Sequence, residues 1–68
     1  MPISINLDIL LQEKGMTGKD LSEIVGITEA NLSIFRSGKA RAVRFTTLEA
    51  ICDALECQPG DILKFIKE

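Results

Sequence analysis

Residues Thr17 to Ser37 read TGKDLSEIVGITEANLSIFRS, and this stretch decides the fold. Thr17 precedes Asp20 by three residues, which is a capping box with aspartate in place of the usual glutamate. Leu21, Ile24 and Val25 then supply an apolar helical stripe, and Gly26 breaks it with the positive φ that a short turn needs. Ile27 plugs the turn, Thr28 caps a second helix, and Leu32 and Phe35 at i and i+3 give that helix its buried stripe. Ser22 is small enough for two helices to cross closely. Leu21, Val25, Ile27, Leu32 and Phe35 together form the wedge that sets the interhelical angle. Two short helices joined by a tight glycine turn make a helix-turn-helix. The second helix hides little, so it is the one that presents a face.

Upstream, Met1 to Ile5 alternates, with Ile3 and Ile5 on one side, as a short strand would. Asn6 is positioned to cap a first helix from about Leu7 to Lys14, with Leu7, Leu10, Leu11 and Lys14 on one face, Ile9 near its edge, and Gly15 at its end. Downstream, Ser37-Gly38 closes the third helix, and Lys39 to Phe45, KARAVRF, reads as a basic loop anchored by Val43 and Phe45. Thr46 with Glu49 predicts a capping box for a fourth helix whose Leu48, Ile51, Cys52 and Leu55 face inward. After a turn at Cys57 to Asp61, Pro59 suits the first position of a short fifth helix through about Leu63. The apolar tail, Ile62 to Ile66, either pairs as a strand with Met1 to Ile5 or covers a subunit interface. The expected architecture is all-α, a five-helix fold in one domain over residues 1–68 with its core at about 7–65, pairing of short terminal strands being one of the two options for its ends.

Sixty-eight residues bury only about 60% of their unfolded surface, so such a domain relies on well-packed helices or on a partner. Cys52 and Cys57 are too few for a disulfide scaffold and, without histidine, do not make a structural zinc site. They are expected as reduced, packed thiols that form no local bridge. The N-terminus lacks a basic signal-peptide region, and no apolar run approaches the ~20 residues of a membrane span, so a cytoplasmic location is expected.

The net charge is −2, but its distribution is uneven. Arg36, Lys39, Arg41 and Arg44 are four of the eight basic residues, and no acid occurs from Ala30 to Leu48. All ten acids lie in the flanks. A randomly solvated surface would mix signs, so this acid-free window marks a polarised face suited to an anionic partner.

The chain resembles the Cro/cI-type phage-repressor family of bacterial transcriptional regulators. The resemblance rests on GMTGKDLSEIVGIT at Gly15–Thr28, the later SGK, and TLEAICDALECQPGDIL at Thr47–Leu63, and it spans roughly Leu7 to Phe65. It implies a five-helix lambda-repressor-like DNA-binding fold whose third helix enters the major groove while the second lies across the backbone. On that resemblance the base-reading candidates are Thr28, Glu29, Ala30, Asn31, Ser33 and Ile34. Asparagine can pair with adenine N6 and N7, glutamate can accept from cytosine N4, and Ala or Ile can touch a thymine methyl. Phosphate contact falls to Lys39, Arg41 and Arg44, with Arg36, Lys19 and Thr17 as additions. Related repressors dimerise, and the candidate dimer surface is Ile62, Leu63, Phe65 and Ile66 with Ile3 and Ile5. Two positions depart from the family: Gly18 stands where relatives often carry a phosphate-holding glutamine, and Ile34 where many place a long polar residue.

Two functions follow as expectations. The first is a homodimeric regulator of double-stranded DNA, most simply a repressor, with no cofactor, no metal and no evident small-molecule ligand. The second is a protein-interaction or antitoxin-like module on the same fold, favoured by net acidity and the apolar Ile34. No activated nucleophile, glycine-rich phosphate loop or histidine is present to support an enzyme.

Overall fold

A computed structural model describes residues 3–67. Its elements in order are β1 (Ile3–Ile5), α1 (Leu7–Glu13), α2 (Gly18–Val25), α3 (Glu29–Arg36), α4 (Phe45–Leu55), α5 (Pro59–Ile62) and β2 (Leu63–Phe65). The expected five helices and the terminal strands are all present. Met1 and Pro2, where the expected first strand begins, lie outside the described residues.

One device ends each of α1 to α4. The second or third residue past each helix donates its N–H back to a carbonyl five residues earlier: Met16 to Leu11 at 2.9 Å, Ile27 to Ser22 at 3.1 Å, Lys39 to Ile34 at 3.3 Å and Cys57 to Cys52 at 3.0 Å. This closure needs a left-handed residue just before the donor. Glycine supplies it in three cases, at Gly15, Gly26 and Gly38. At the fourth it is Glu56, with φ 51° and its side chain exposed.

The starts of the helices are less uniform. Thr17 and Asp20 form the expected box: the Asp20 N–H donates to Thr17 Oγ1 at 3.0 Å, and the Thr17 N–H donates to Asp20 Oδ2 at 3.1 Å. The Thr17 backbone N–H, and then its side chain, hold the Asp20 carboxyl below its ordinary range. Thr28 caps α3 by accepting the Asn31 N–H at 3.1 Å. The box expected at Thr46 and Glu49 is not formed. The Leu48 N–H bonds to the Arg44 carbonyl at 3.0 Å, closing the first turn of α4 two residues earlier and putting Arg44 in the cap position. Asn6 takes the cap position of α1 without a side-chain cap, and its N–H goes instead to the Ile62 carbonyl at 2.8 Å. That bond prolongs the antiparallel pairing of β1 with β2, in which Ile3 faces Phe65 and Ile5 faces Leu63.

The core is Leu7, Leu11, Leu21, Leu32, Phe35, Leu48, Ile51, Leu55 and Ile62. Three expectations about burial are corrected. Ile24 is exposed, because α2 turns Leu21 and Ser22 inward, toward α3 and α4, and leaves Ile24 on the outer edge. Phe45 is 81% exposed rather than an anchor; with α4 starting at Phe45, it sits on the flank shared with Glu49 and Cys52, away from Ile51 and Leu55. Ile62 is fully buried as the last residue of α5, so it is core and is closed to any partner. Ser22 is buried as expected, and its hydroxyl donates to the Lys19 carbonyl at 2.8 Å, so the close crossing leaves no orphaned polar atom. Both cysteines are free and half-buried. No helix among the described residues is long and apolar enough to cross a membrane.

A non-glycine residue in left-handed conformation costs about 1 kcal/mol or more. Glu56→Gly is therefore expected to raise the unfolding free energy by about 1 kcal/mol in urea denaturation. A loss of stability would show that the Glu56 side chain contributes more than its backbone strain costs.

Candidate nucleic-acid interface

Helix α3 is held by only two buried side chains, Leu32 and Phe35. At about 100° per residue, pointing these two inward turns Ala30, Ser33 and Ile34 outward and leaves Asn31 on the flank beside Ile34. Thr28, Glu29, Ala30, Asn31, Ser33 and Ile34 are all exposed. The Thr28 hydroxyl is already engaged as the helix cap, while no hydrogen bond holds the Asn31 amide among the described residues.

The loop from Lys39 to Arg44 passes beside this face. Between them lies an open groove of about 570 Å³ whose walls include Asn31 and Ile34 from α3 and Arg41 and Arg44 from the loop. Its other lining residues are apolar or small, among them Ile27, Val43 and Ala42, with Thr47 from α4. Ile27 and Val43 are half-buried and pack on the core. In sequence they read as a plug and an anchor. Their second role as groove lining has no local signal, because it depends on the loop folding back over α3.

The remaining candidates are dispersed. Lys39 and Lys19 are exposed but do not line the groove, and Thr17 spends its side chain in the α2 capping box. Arg36 is committed elsewhere: its Nε donates to Asp8 Oδ1 at 2.6 Å, tying the end of α3 to α1. Its guanidinium also occupies the space a Cβ at residue 18 would need, so Gly18 leaves room for an arginine from another helix. The pair with Asp8 joins residues 28 apart in sequence, and the guanidinium it holds beside residue 18 accounts for the glycine at the start of α2. Of the dimer candidates, Ile3, Phe65 and Ile66 are exposed, and Ile5 and Leu63 are half-buried.

Comparison with known proteins shows a shared domain family and fold. Residues 6–68 match the family model of the Cro/C1-type HTH DNA-binding domain. The chain is 62% identical over 65 residues to YozG, an uncharacterised HTH-type transcriptional regulator of Bacillus subtilis (strain 168), covering 96% of this chain and 77% of that protein. The crystal structure of the transcriptional regulator VanUg, Form II, is similar with a TM-score of 0.77 and 35% identity, over 98% of this chain and 88% of that one. The resemblance carried by GMTGKDLSEIVGIT and its companions thus extends over nearly the whole chain.

A Cβ at residue 18 would displace the end of a flexible side chain rather than backbone. Gly18→Ala is expected to change stability by less than about 1 kcal/mol, the scale of an exposed ion pair. Asp8→Asn should cost a similar small amount in the parent chain and nothing measurable in the Gly18→Ala background. Equal costs in both backgrounds, by chemical denaturation, would show that the Arg36–Asp8 pair does not depend on the glycine.

Proposed function

The chain belongs to the Cro/C1-type helix-turn-helix DNA-binding family, and from that premise we propose that it is a transcriptional repressor that lays α3 in the major groove. The observation that carries this reading is the groove itself, where the exposed face of α3 and the arginines of an acid-free loop meet. Base edges present hydrogen-bonding and methyl groups to a helix in the major groove, and Asn31, Ser33, Ala30 and Ile34 are side chains that can meet them. Arg41 and Arg44, with Lys39 beside them, would hold adjacent phosphates; such contacts position the protein without specifying sequence. The acidic flanks favour docking by this one face, since the acids outside the Ala30–Leu48 window repel the DNA polyanion. A domain seated across a promoter would block transcription sterically.

The same reading includes a second copy. Ile3 and Phe65 face each other across β1 and β2, and both are exposed, as is Ile66. Covering this apolar strip with its equivalent would pair two recognition helices, which suits half-sites about one helical turn apart. A second function, docking of a different protein, is favoured by one feature, the exposed Phe45 beside Leu48, Cys52 and Pro59.

Gel shifts over graded salt with genomic fragments test the proposal. Binding should weaken steeply as salt rises, and Arg44→Ala should weaken binding to every sequence about equally, with a salt slope shallower by about one. No binding to its own upstream region or to genomic fragments at low salt, with a different protein retained instead, would select the docking function.

A further inference from the structure

We propose that the groove beside α3 selects thymine, with Ile34 receiving the thymine 5-methyl group and Asn31 pairing with adenine in the neighbouring base pair. This inference rests on the DNA-binding function proposed above and specifies what that site reads.

Ile34 is 48% exposed, although it lies on a helix whose outward face is otherwise small or polar. It is not isolated, because Ile27 and Val43 line the same groove and continue an apolar surface from Ile34 to the core. Among the groups that the four bases expose in the major groove, the C5-methyl of thymine is the apolar one; the rest donate or accept hydrogen bonds. An apolar wall flanked by two arginines therefore complements a strand bearing phosphates outside and a methyl inside. A polar base edge set against Ile34 would lose its water without gaining a partner, which adds rejection of other bases to attraction for thymine.

Asn31 stands one turn before Ile34 on the same groove wall. Its amide is free of intramolecular hydrogen bonds among the described residues, so a donor and an acceptor are available together. That pairing matches N6 and N7 of adenine. Three residues of helix advance about 4.5 Å, close to the ~3.4 Å between successive bases on a strand. The two side chains thus address adjacent base pairs, and each half-site should contain two consecutive A·T pairs.

The test begins with duplexes selected from genomic fragments by the full chain. Each thymine of the selected half-site is then replaced singly by deoxyuridine, which removes only the methyl. At one position per half-site the substitution should weaken binding about fourfold, the value of one buried apolar carbon. The Ile34→Ala chain should bind the thymine and uracil duplexes equally, while its helical circular dichroism and cooperative unfolding match the parent's, which shows that it is folded. Asn31→Ala should lose discrimination at the adjacent pair and keep the response to uracil. Selected half-sites without thymine, uniform indifference to uracil, or a uracil response that persists in Ile34→Ala would each overturn the inference while leaving DNA binding standing. Failure of the parent chain to bind any duplex would overturn both.

Discussion

The turn at Gly26 constrains everything that follows it. Left-handed at φ 85°, it lets both its own N–H and that of Ile27 bond to the Ser22 carbonyl, so α2 ends abruptly. Thr28 then starts α3 at once by capping the Asn31 N–H. With so few residues between the helices, their mutual angle is set by local geometry together with half-buried Val25 and Ile27. Because α3 is aimed by the turn, it buries only Leu32 and Phe35, and Glu29, Ala30, Asn31, Ser33 and Ile34 stay exposed.

What surrounds the turn keeps that aim steady. Ser22 allows α2 to sit closely on its neighbours with its hydroxyl satisfied internally, and the Arg36–Asp8 pair ties the far end of α3 to α1. The termini are joined through β1 and β2 and through the bond from Asn6 to Ile62. The loop after α3 is closed by the same left-handed device at Gly38 and returns along the exposed face of the helix. Side chains suited to bases and cations suited to phosphates then occupy one groove rather than two separate surfaces.

How much of this was legible in the residues depended on range. Thr17 with Asp20, Thr28, and the glycines after three helices act within a turn of chain, and local pattern found them. The Thr46–Glu49 pattern was equally local but lost to a turn closed earlier by the Arg44 carbonyl, which also moved Phe45 to the surface. Ile24 and Ile62 depart from the expectation for a related reason: periodicity shows which residues share a stripe but not where the stripe ends against neighbouring helices. Gly18 looked like a lost phosphate contact, and its reason lies on another helix, in a side chain whose position no local pattern reports. At the candidate site the exposed face of α3 and the cationic loop were both readable. Their meeting in a groove lined by Ile27 and Val43 was not, since it depends on tertiary folding.

On the proposed function, α3 and the loop after it form one DNA-facing surface. Titration of the isotopically labelled chain with duplex DNA, followed through its backbone amide resonances, measures this directly. The largest shifts should fall together on Thr28 to Ile34 and Lys39 to Arg44, with α1 and α5 little changed. Shifts concentrated on Phe45, Cys52 and Gln58, with α3 unperturbed, would contradict it.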